Sequence, residues 1–212
     1  MQFLKYGSPF SFNYSTYDQA AGLFVAARIY NVTSGVPIFD SQVAMAELQD
    51  GVYSGQFTGL YGQSYLVISA VYLDGTYTTL DTSRAPAAEC FQDIELDTKF
   101  LLFNYGSYDQ DETLYIAGNV YDSASFVIQV AMDHVYAGVY FAAFTGSLNK
   151  AYSVVKTVYT DAGFTTPDPN RAPSGETFQS YLFSNIIVVK NVLAGAVLVG
   201  QELEAVLEAR TC

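Results

Sequence analysis

Four aspartates that recur between the two halves of the chain could support metal chemistry. Asp74 and Asp81 are repeated 87 positions later as Asp161 and Asp168. Calcium takes roughly six to eight oxygen ligands, often from several carboxylates of this kind. However, Asp followed by Gly also favours a tight turn, and the second half keeps the aspartate while Ala162 replaces the glycine. We therefore treat the four residues as weak calcium candidates and expect turn formation to be their main role.

Catalytic chemistry has little support in the sequence. His134 is the single histidine, and its neighbours "AMDHVYAG" contain no nucleophile motif. No Cys/His cluster has zinc-ligand spacing, and no glycine-rich phosphate loop occurs. A glycosidase pair would need one carboxyl group in an apolar pocket, which nothing in the sequence indicates. We expect a protein that is not an enzyme and has no cofactor, with His134 as a loop residue.

Four aromatic residues on strand faces raise a question of binding. They could stack on sugars, form a protein contact, or pack structurally against a loop or an adjoining domain. The sequence leaves these alternatives open. The residues are Phe24, Tyr30, Tyr115 and Tyr121.

Charge and composition exclude some partners. The 212 residues carry a net charge of -12, which disfavours binding to nucleic acid or to an anionic membrane surface. The sequence starts without a secretory signal pattern, and no apolar run approaches the ~20 residues of a membrane span. These features predict synthesis in a cytoplasm. Cys90 and Cys212 form no disulfide framework.

An internal duplication organises the chain. "FNYSTYDQ" at 12–19 returns as "FNYGSYDQ" at 103–110, an offset of 91. After a four-residue gap in a loop the offset becomes 87 and holds to the end of the second copy, as with 84–86 and 171–173, both Arg-Ala-Pro. So many collinear matches indicate a tandem repeat.

Each copy reads as a series of short strands. In "GLFVAARIYN" the set Leu23, Val25, Ala27 and Ile29 alternates with a second set, and only the first stays wholly apolar or small in the other copy. The first set therefore faces a core. For "YLVISAVY" the inner face remains open, because Lys156 takes the place of a small residue in the second copy.

The pattern predicts an all-β protein with two tandem antiparallel β-sandwiches at 1–93 and 94–180. The order of Gly-x-Tyr, a Gly-containing loop, Tyr-x-Val and an aspartate turn resembles immunoglobulin-like and fibronectin-III-like modules. In those modules an aromatic residue near the start of the penultimate strand ties down a loop. The resemblance assigns this place to Tyr65 and Tyr152.

Residues 181–212 have no counterpart after the first copy. They contain two apolar blocks and an acidic end, and we expect a C-terminal arm or β-hairpin. The arm either adds strands to the second sandwich or docks on a neighbouring subunit. The interaction residues expected there are Ile186, Ile187, Val192, Leu193, Val197, Leu198, Leu203 and Leu207, with Tyr30 and Tyr121 as further candidates on the sandwiches.

In its combination of tandem sandwiches, acidity and an apolar arm, the chain resembles the immunoglobulin-like modules of tailed-bacteriophage virion proteins. The resemblance implies a structural protein of capsid decoration, head fibre, neck or tail, made in the host cytoplasm and located in the virion. Its partners would be other virion proteins or copies of itself. The alternative function is an adhesin-like or carbohydrate-binding module that uses the aromatic strand faces.

Overall fold

Fifteen β-strands make up the described part of the chain. The computed structural model describes residues 2–4, 9–60, 62–93, 100–122, 125–147 and 150–179, and these contain no helix. Within these ranges, accordingly, no helix is long and apolar enough to cross a membrane. The strands are β1 (Gln2–Leu4), β2 (Phe10–Ser15), β3 (Phe24–Asn31), β4 (Ile38–Ala44), β5 (Ala46–Gln49), β6 (Val52–Phe57), β7 (Ser64–Tyr72), β8 (Ala87–Asp93), β9 (Phe100–Gly106), β10 (Tyr115–Asp122), β11 (Ser125–Ala131), β12 (Asp133–Tyr136), β13 (Val139–Thr145), β14 (Ala151–Tyr159) and β15 (Ser174–Gln179).

The strands of each copy form two sheets. In the first copy these are β1-β8-β7-β3-β4 and β2-β6-β5, and in the second copy they are β11-β10-β14-β15 and β12-β13-β9. All neighbouring strands pair antiparallel except β1, which runs parallel to β8. The predicted all-β fold of antiparallel sandwiches is confirmed.

The strand order is that of an immunoglobulin-like sandwich. With β2 to β8 lettered B, C, C′, D, E, F and G, one sheet reads G-F-C-C′ and the other B-E-D. β9 to β15 repeat this order in the second copy. The duplicated sequence thus folds twice into the same topology.

Alternation in the sequence explains which strand faces are buried. Val25, Ala27 and Ile29 of β3 are almost fully buried inside the first sandwich, which confirms the predicted inner face. The first core is rich in aromatic residues, with Phe12, Tyr53, Tyr65 and Phe91 among its largest buried side chains.

The second copy has a core of its own. Its inner faces contribute Phe103, Ile116, Val120, Tyr140 and Val154, each at most 2% exposed. The residues Met1–Ser180 together form one compact unit.

One interpretation from the sequence needs correction. The Asp74-Gly75 pair predicts a tight turn between two strands, with "TYTTLDT" as the second, but residues 73–86 form turns with one isolated bridge between Tyr72 and Leu80. The reason is that the aspartate holds its own loop, as described below. The last strand of the sheet is instead β8.

Candidate functional site

Asp74 and Asp161 are committed to their own loops. The Asp74 carboxylate accepts hydrogen bonds from the Thr76 hydroxyl and from the backbone N–H of Thr79 at 2.7 Å. The Asp161 carboxylate accepts the backbone N–H of Thr166 at 2.8 Å. These hydrogen bonds hold the pKa of both carboxyl groups below its ordinary value, led by Thr76 for Asp74 and Thr166 for Asp161. Both carboxylates therefore stabilise the loops in which they lie, which is the turn role expected of them.

The other two calcium candidates pair with arginines. Asp81 lies 3.6 Å from Nε of Arg84, and Asp168 lies 3.9 Å from Nε of Arg171. Asp81 also accepts the Ser83 hydroxyl at 2.6 Å. In the parts of the chain that the structure describes, no group of three or more acidic, Cys or His side chains is arranged to hold a metal ion.

The same arginines form ion pairs that the sequence analysis missed. Arg84 donates two hydrogen bonds to Asp18, at 3.0 and 2.9 Å, and Arg171 donates to Asp109 at 3.2 and 2.6 Å. The arginine hydrogen bonds lower the pKa of each aspartate to about 2. In each copy the pair ties the loop after the first repeated strand to the loop before the last strand. The sequence did contain a signal for these pairs, because the aspartate and the arginine both recur at equivalent positions in the two copies.

The repeated "YDQ" turn depends on a glycine in a distant hairpin. Gln19 and Gln110 both have φ of 55°, and Gly51 and Gly138 have φ of 74° and 70°. A Cβ on Gly51 would lie 2.5 Å from Cα of Gln19, and one on Gly138 would lie 2.5 Å from Cα of Gln110. The backbones therefore approach too closely for any other residue at these two glycine positions.

His134 lies in β12 and not in a loop as expected, and its side chain has a role in the same hairpin. Its Nε2 accepts the backbone N–H of Gly138 at 3.3 Å and lies 3.7 Å from a carboxylate oxygen of Glu112. In the first copy the Glu47 carboxylate accepts the N–H of Gly51 at 3.4 Å in the same way. His134 in the second copy therefore takes the place of Glu47 in the first as the hydrogen-bond acceptor in the turn.

Tyr65 and Tyr152 hold the position that the resemblance assigned to them. The Tyr65 hydroxyl accepts the backbone N–H of Leu60 at 2.9 Å, and the Tyr152 hydroxyl accepts that of Ser147 at 2.9 Å. Both rings are buried in the core of their copy. The expectation that these tyrosines tie down a loop is confirmed.

The four aromatics singled out as candidates for binding separate into two groups. Phe24 and Tyr115 are 46% and 45% exposed. Tyr30 is only 7% exposed, because the second copy covers it, so the interpretation as an open binding residue does not hold for it. Tyr121 is half-buried and packs edge-on against Phe126 at 5.9 Å.

A third apolar cluster joins the two copies. From the first copy it contains Tyr30, Leu66, Ile68 and Cys90, which lie on the outer side of the sheet that holds β7. From the second copy it contains Leu102, Val139 and Phe141. This contact explains why β7 is buried along its whole length, which alternation alone could not predict.

Polar contacts extend the junction between the copies. The hydroxyl groups of Tyr72 and Tyr136 lie 3.1 Å apart, and the Arg28 guanidinium lies 4.1 Å from the centre of the Tyr136 ring. The Gln110 side chain donates to the backbone carbonyl of Asp81 at 2.8 Å and also to that of Arg84. The copies are thus connected by packing and by directed hydrogen bonds.

A buried lysine lies close to this junction. Lys156 is 5% exposed, donates to the Asn104 carbonyl at 2.8 Å and forms an ion pair with Glu176. Asn104 in turn contacts Cys90 at 3.5 Å, and burial raises the pKa of the Cys90 thiol to about 11. Lys156 therefore points into the second sandwich, which settles the inner face of β14. Cys90 is a free, buried cysteine, and Cys212 lies outside the described residues.

The two copies differ at some of the positions where they meet. Leu102 and Phe141 stand where the first copy has Ser11 and Ser54. Leu66 similarly stands where the second copy has Ser153. Each of these three residues is apolar in the copy where it lies in the contact and is serine in the other copy, so the divergence of the repeat encodes part of the contact.

The candidate interaction residues of the arm lie outside the described residues. They are Ile186, Ile187, Val192, Leu193, Val197, Leu198, Leu203 and Leu207.

The comparisons with known proteins give no family. No protein-family model matches the chain, and no curated protein matches it.

Proposed function

We propose that the chain is a non-enzymatic structural protein of a virion, acting as a spacer and assembly module. The observation that carries the structural role is the buried apolar junction between the two copies, whose members include Tyr30, Leu66 and Phe141. Burying side chains of this size contributes about 1.5–3 kcal/mol each. Two sandwiches held in this way suit a protein that sets a fixed distance in an assembly.

The polar groups of the repeated loops support the same proposal. The repeated carboxylates at Asp18, Asp74, Asp109 and Asp161 each bind donors of their own copy. These carboxylates stabilise the conformation of the loops. The assignment to a virion rests on the resemblance to phage immunoglobulin-like modules, and the partners proposed are other virion proteins or further copies of this chain.

Assembly is proposed to reside in the unrepeated residues 181–212. A chain truncated after Ser180 should keep its fold, because both cores and the junction lie before that residue. We expect light scattering to give a monomeric mass for the truncated chain and a larger mass for the full chain. A truncated chain that assembles as the full chain does would refute this role, and circular dichroism would show that both are folded.

A further inference from the structure

A surface groove at one end of the first sandwich has the chemistry of a ligand site. Its volume is about 420 Å³, and it lies where β3 ends, β4 begins and the chain enters β7. Apolar and hydrogen-bonding side chains share its walls. Those that the argument uses are Asn31, Thr33, Ile38, Phe39, Asp40 and Gln63.

Phe39 forms a fixed apolar wall of the groove. Its ring packs edge-on against buried Tyr30 at 5.7 Å, and the Arg28 guanidinium lies 5.2 Å from the ring centre. The side chain is nevertheless 51% exposed. A ring that is held by its neighbours and still half open can stack on a ligand with little loss of conformational entropy.

The polar wall is also held in place before any ligand binds. The Asn31 amide donates to the Gln63 side chain, and its oxygen accepts the backbone N–H of Thr33 at 3.0 Å. The Thr33 hydroxyl accepts the N–H of Ser64 at 2.8 Å. Asp40 adds an exposed carboxylate to the same groove. Planar amide and carboxylate groups beside an aromatic ring are suited to hydroxyl-rich ligands.

The second copy lacks this combination. The loop between the strands equivalent to β3 and β4 is four residues shorter there, and Asp122 and Lys150 stand where the first copy has Asn31 and Gln63. Asp122 and Lys150 form an ion pair. The equivalent of Phe39 is Phe126, which is 60% exposed. The combination of groove residues therefore belongs to the first copy and is not part of the repeated fold.

We infer that this groove binds a neutral saccharide, with Phe39 stacked on a sugar ring and Asp40 and Gln63 bonded to its hydroxyl groups. The net charge of -12 disfavours sialylated or sulfated sugars. The inference does not depend on the proposed assembly role, since the groove residues that carry it all belong to the first copy.

The test is an NMR titration of the full-length, isotope-labelled chain with three neutral disaccharides: lactose, maltose and diacetylchitobiose. We expect at least one of them to shift the amide signals of Thr33, Phe39 and Gln63 with saturable, millimolar affinity. Removing the exposed carboxylate by Asp40→Ala should weaken that affinity by about tenfold or more, because a hydrogen bond to a charged group is lost.

Two variants control for effects on folding. Phe39→Ala should abolish the shifts, whereas Phe126→Ala, which removes the equivalent ring of the second copy, should leave them unchanged. If no disaccharide shifts the groove signals, or if Asp40→Ala and Phe39→Ala both bind as the unchanged chain does, the inference is overturned. Thermal melting of each variant shows whether a loss of binding reflects a loss of fold, and Asp40→Ala decides the question if Phe39→Ala is destabilised.

Discussion

Single side chains fix the loops of each sandwich through contacts between residues far apart in sequence. Tyr65 reaches the chain five residues upstream, and Arg84 reaches Asp18 across 66 positions. The sequence indicated the tyrosine because its place in the strand order resembles that in immunoglobulin-like modules. It did not indicate the ion pair, because no local pattern links an aspartate in one loop with an arginine in another. Only the repetition of both charges could have suggested it.

Removing the buried tyrosine hydroxyl should destabilise the first sandwich. In Tyr65→Phe the ring stays in the core, but the N–H of Leu60 loses its acceptor. We expect a loss of about 0.5–1.5 kcal/mol in the free energy of unfolding, measured in urea. Tyr17→Phe is the control, because Tyr17 is 88% exposed and should change nothing. Equal effects of the two variants would contradict the role of Tyr65.

The ion pair of the second copy should give stability a dependence on acidic pH. The pKa of Asp109 is about 2 in the folded chain, below its ordinary value of 3.8, because Arg171 donates hydrogen bonds to it. A lowered pKa adds stability above the ordinary value, and this stability is lost as the pH falls from about 4 to 2. The Asp109 side chain is 37% exposed, so solvent screening limits the effect to about 1 kcal/mol or less.

Asp109→Asn tests this dependence through melting temperatures between pH 6 and about pH 2. The variant should be less stable near neutral pH and should lose less stability on acidification than the unchanged chain. Parallel curves for the two proteins would show that Asp109 contributes nothing to the acid response.

The sequence pattern predicts a strand's inner face correctly where one face of the strand contacts a core and the other contacts solvent. Alternation therefore predicted the inner face of β3 correctly. Alternation could not identify the inner face of β7. Both faces of this strand are buried, so its sequence does not alternate between apolar and polar residues. The prediction of a strand after Asp74-Gly75 was wrong for a different reason. Its threonines have strand propensity, but their N–H and O–H groups bind the Asp74 carboxylate instead of a neighbouring strand.

The hairpin glycines should tolerate no side chain. Gly138→Ala places a Cβ 2.5 Å from Cα of Gln110 at a φ of 70°, and we expect a loss on the order of 1–3 kcal/mol or more in the free energy of unfolding. Gly22→Ala is the matched control, because φ is 72° there and nothing lies within 4 Å of the added Cβ. The loss in Gly138→Ala should be clearly the larger of the two in urea unfolding, and similar losses would show that the close approach to Gln110 is unimportant.

At the scale of the whole molecule, the duplication has produced two unequal partners. The first copy covers its outer sheet face with the second, and the second copy carries Leu102 and Phe141 where the first carries serines. The repeat itself was evident from the sequence, but the junction was not, because an apolar outer face can be covered by a loop, by a domain or by another subunit. Comparing the copies position by position supplies the missing signal once the sheets are known.

Calorimetry of a chain with an altered junction tests most directly whether the two copies form one structural unit. The double variant Leu102→Ser and Phe141→Ser gives the second copy the residues that the first copy has at Ser11 and Ser54. The unchanged chain should melt in a single transition, because unfolding either copy would expose the shared cluster. The double variant should melt in two separate transitions. If the unchanged chain melts in two transitions and the substitutions do not change their temperatures, the two copies do not form one structural unit.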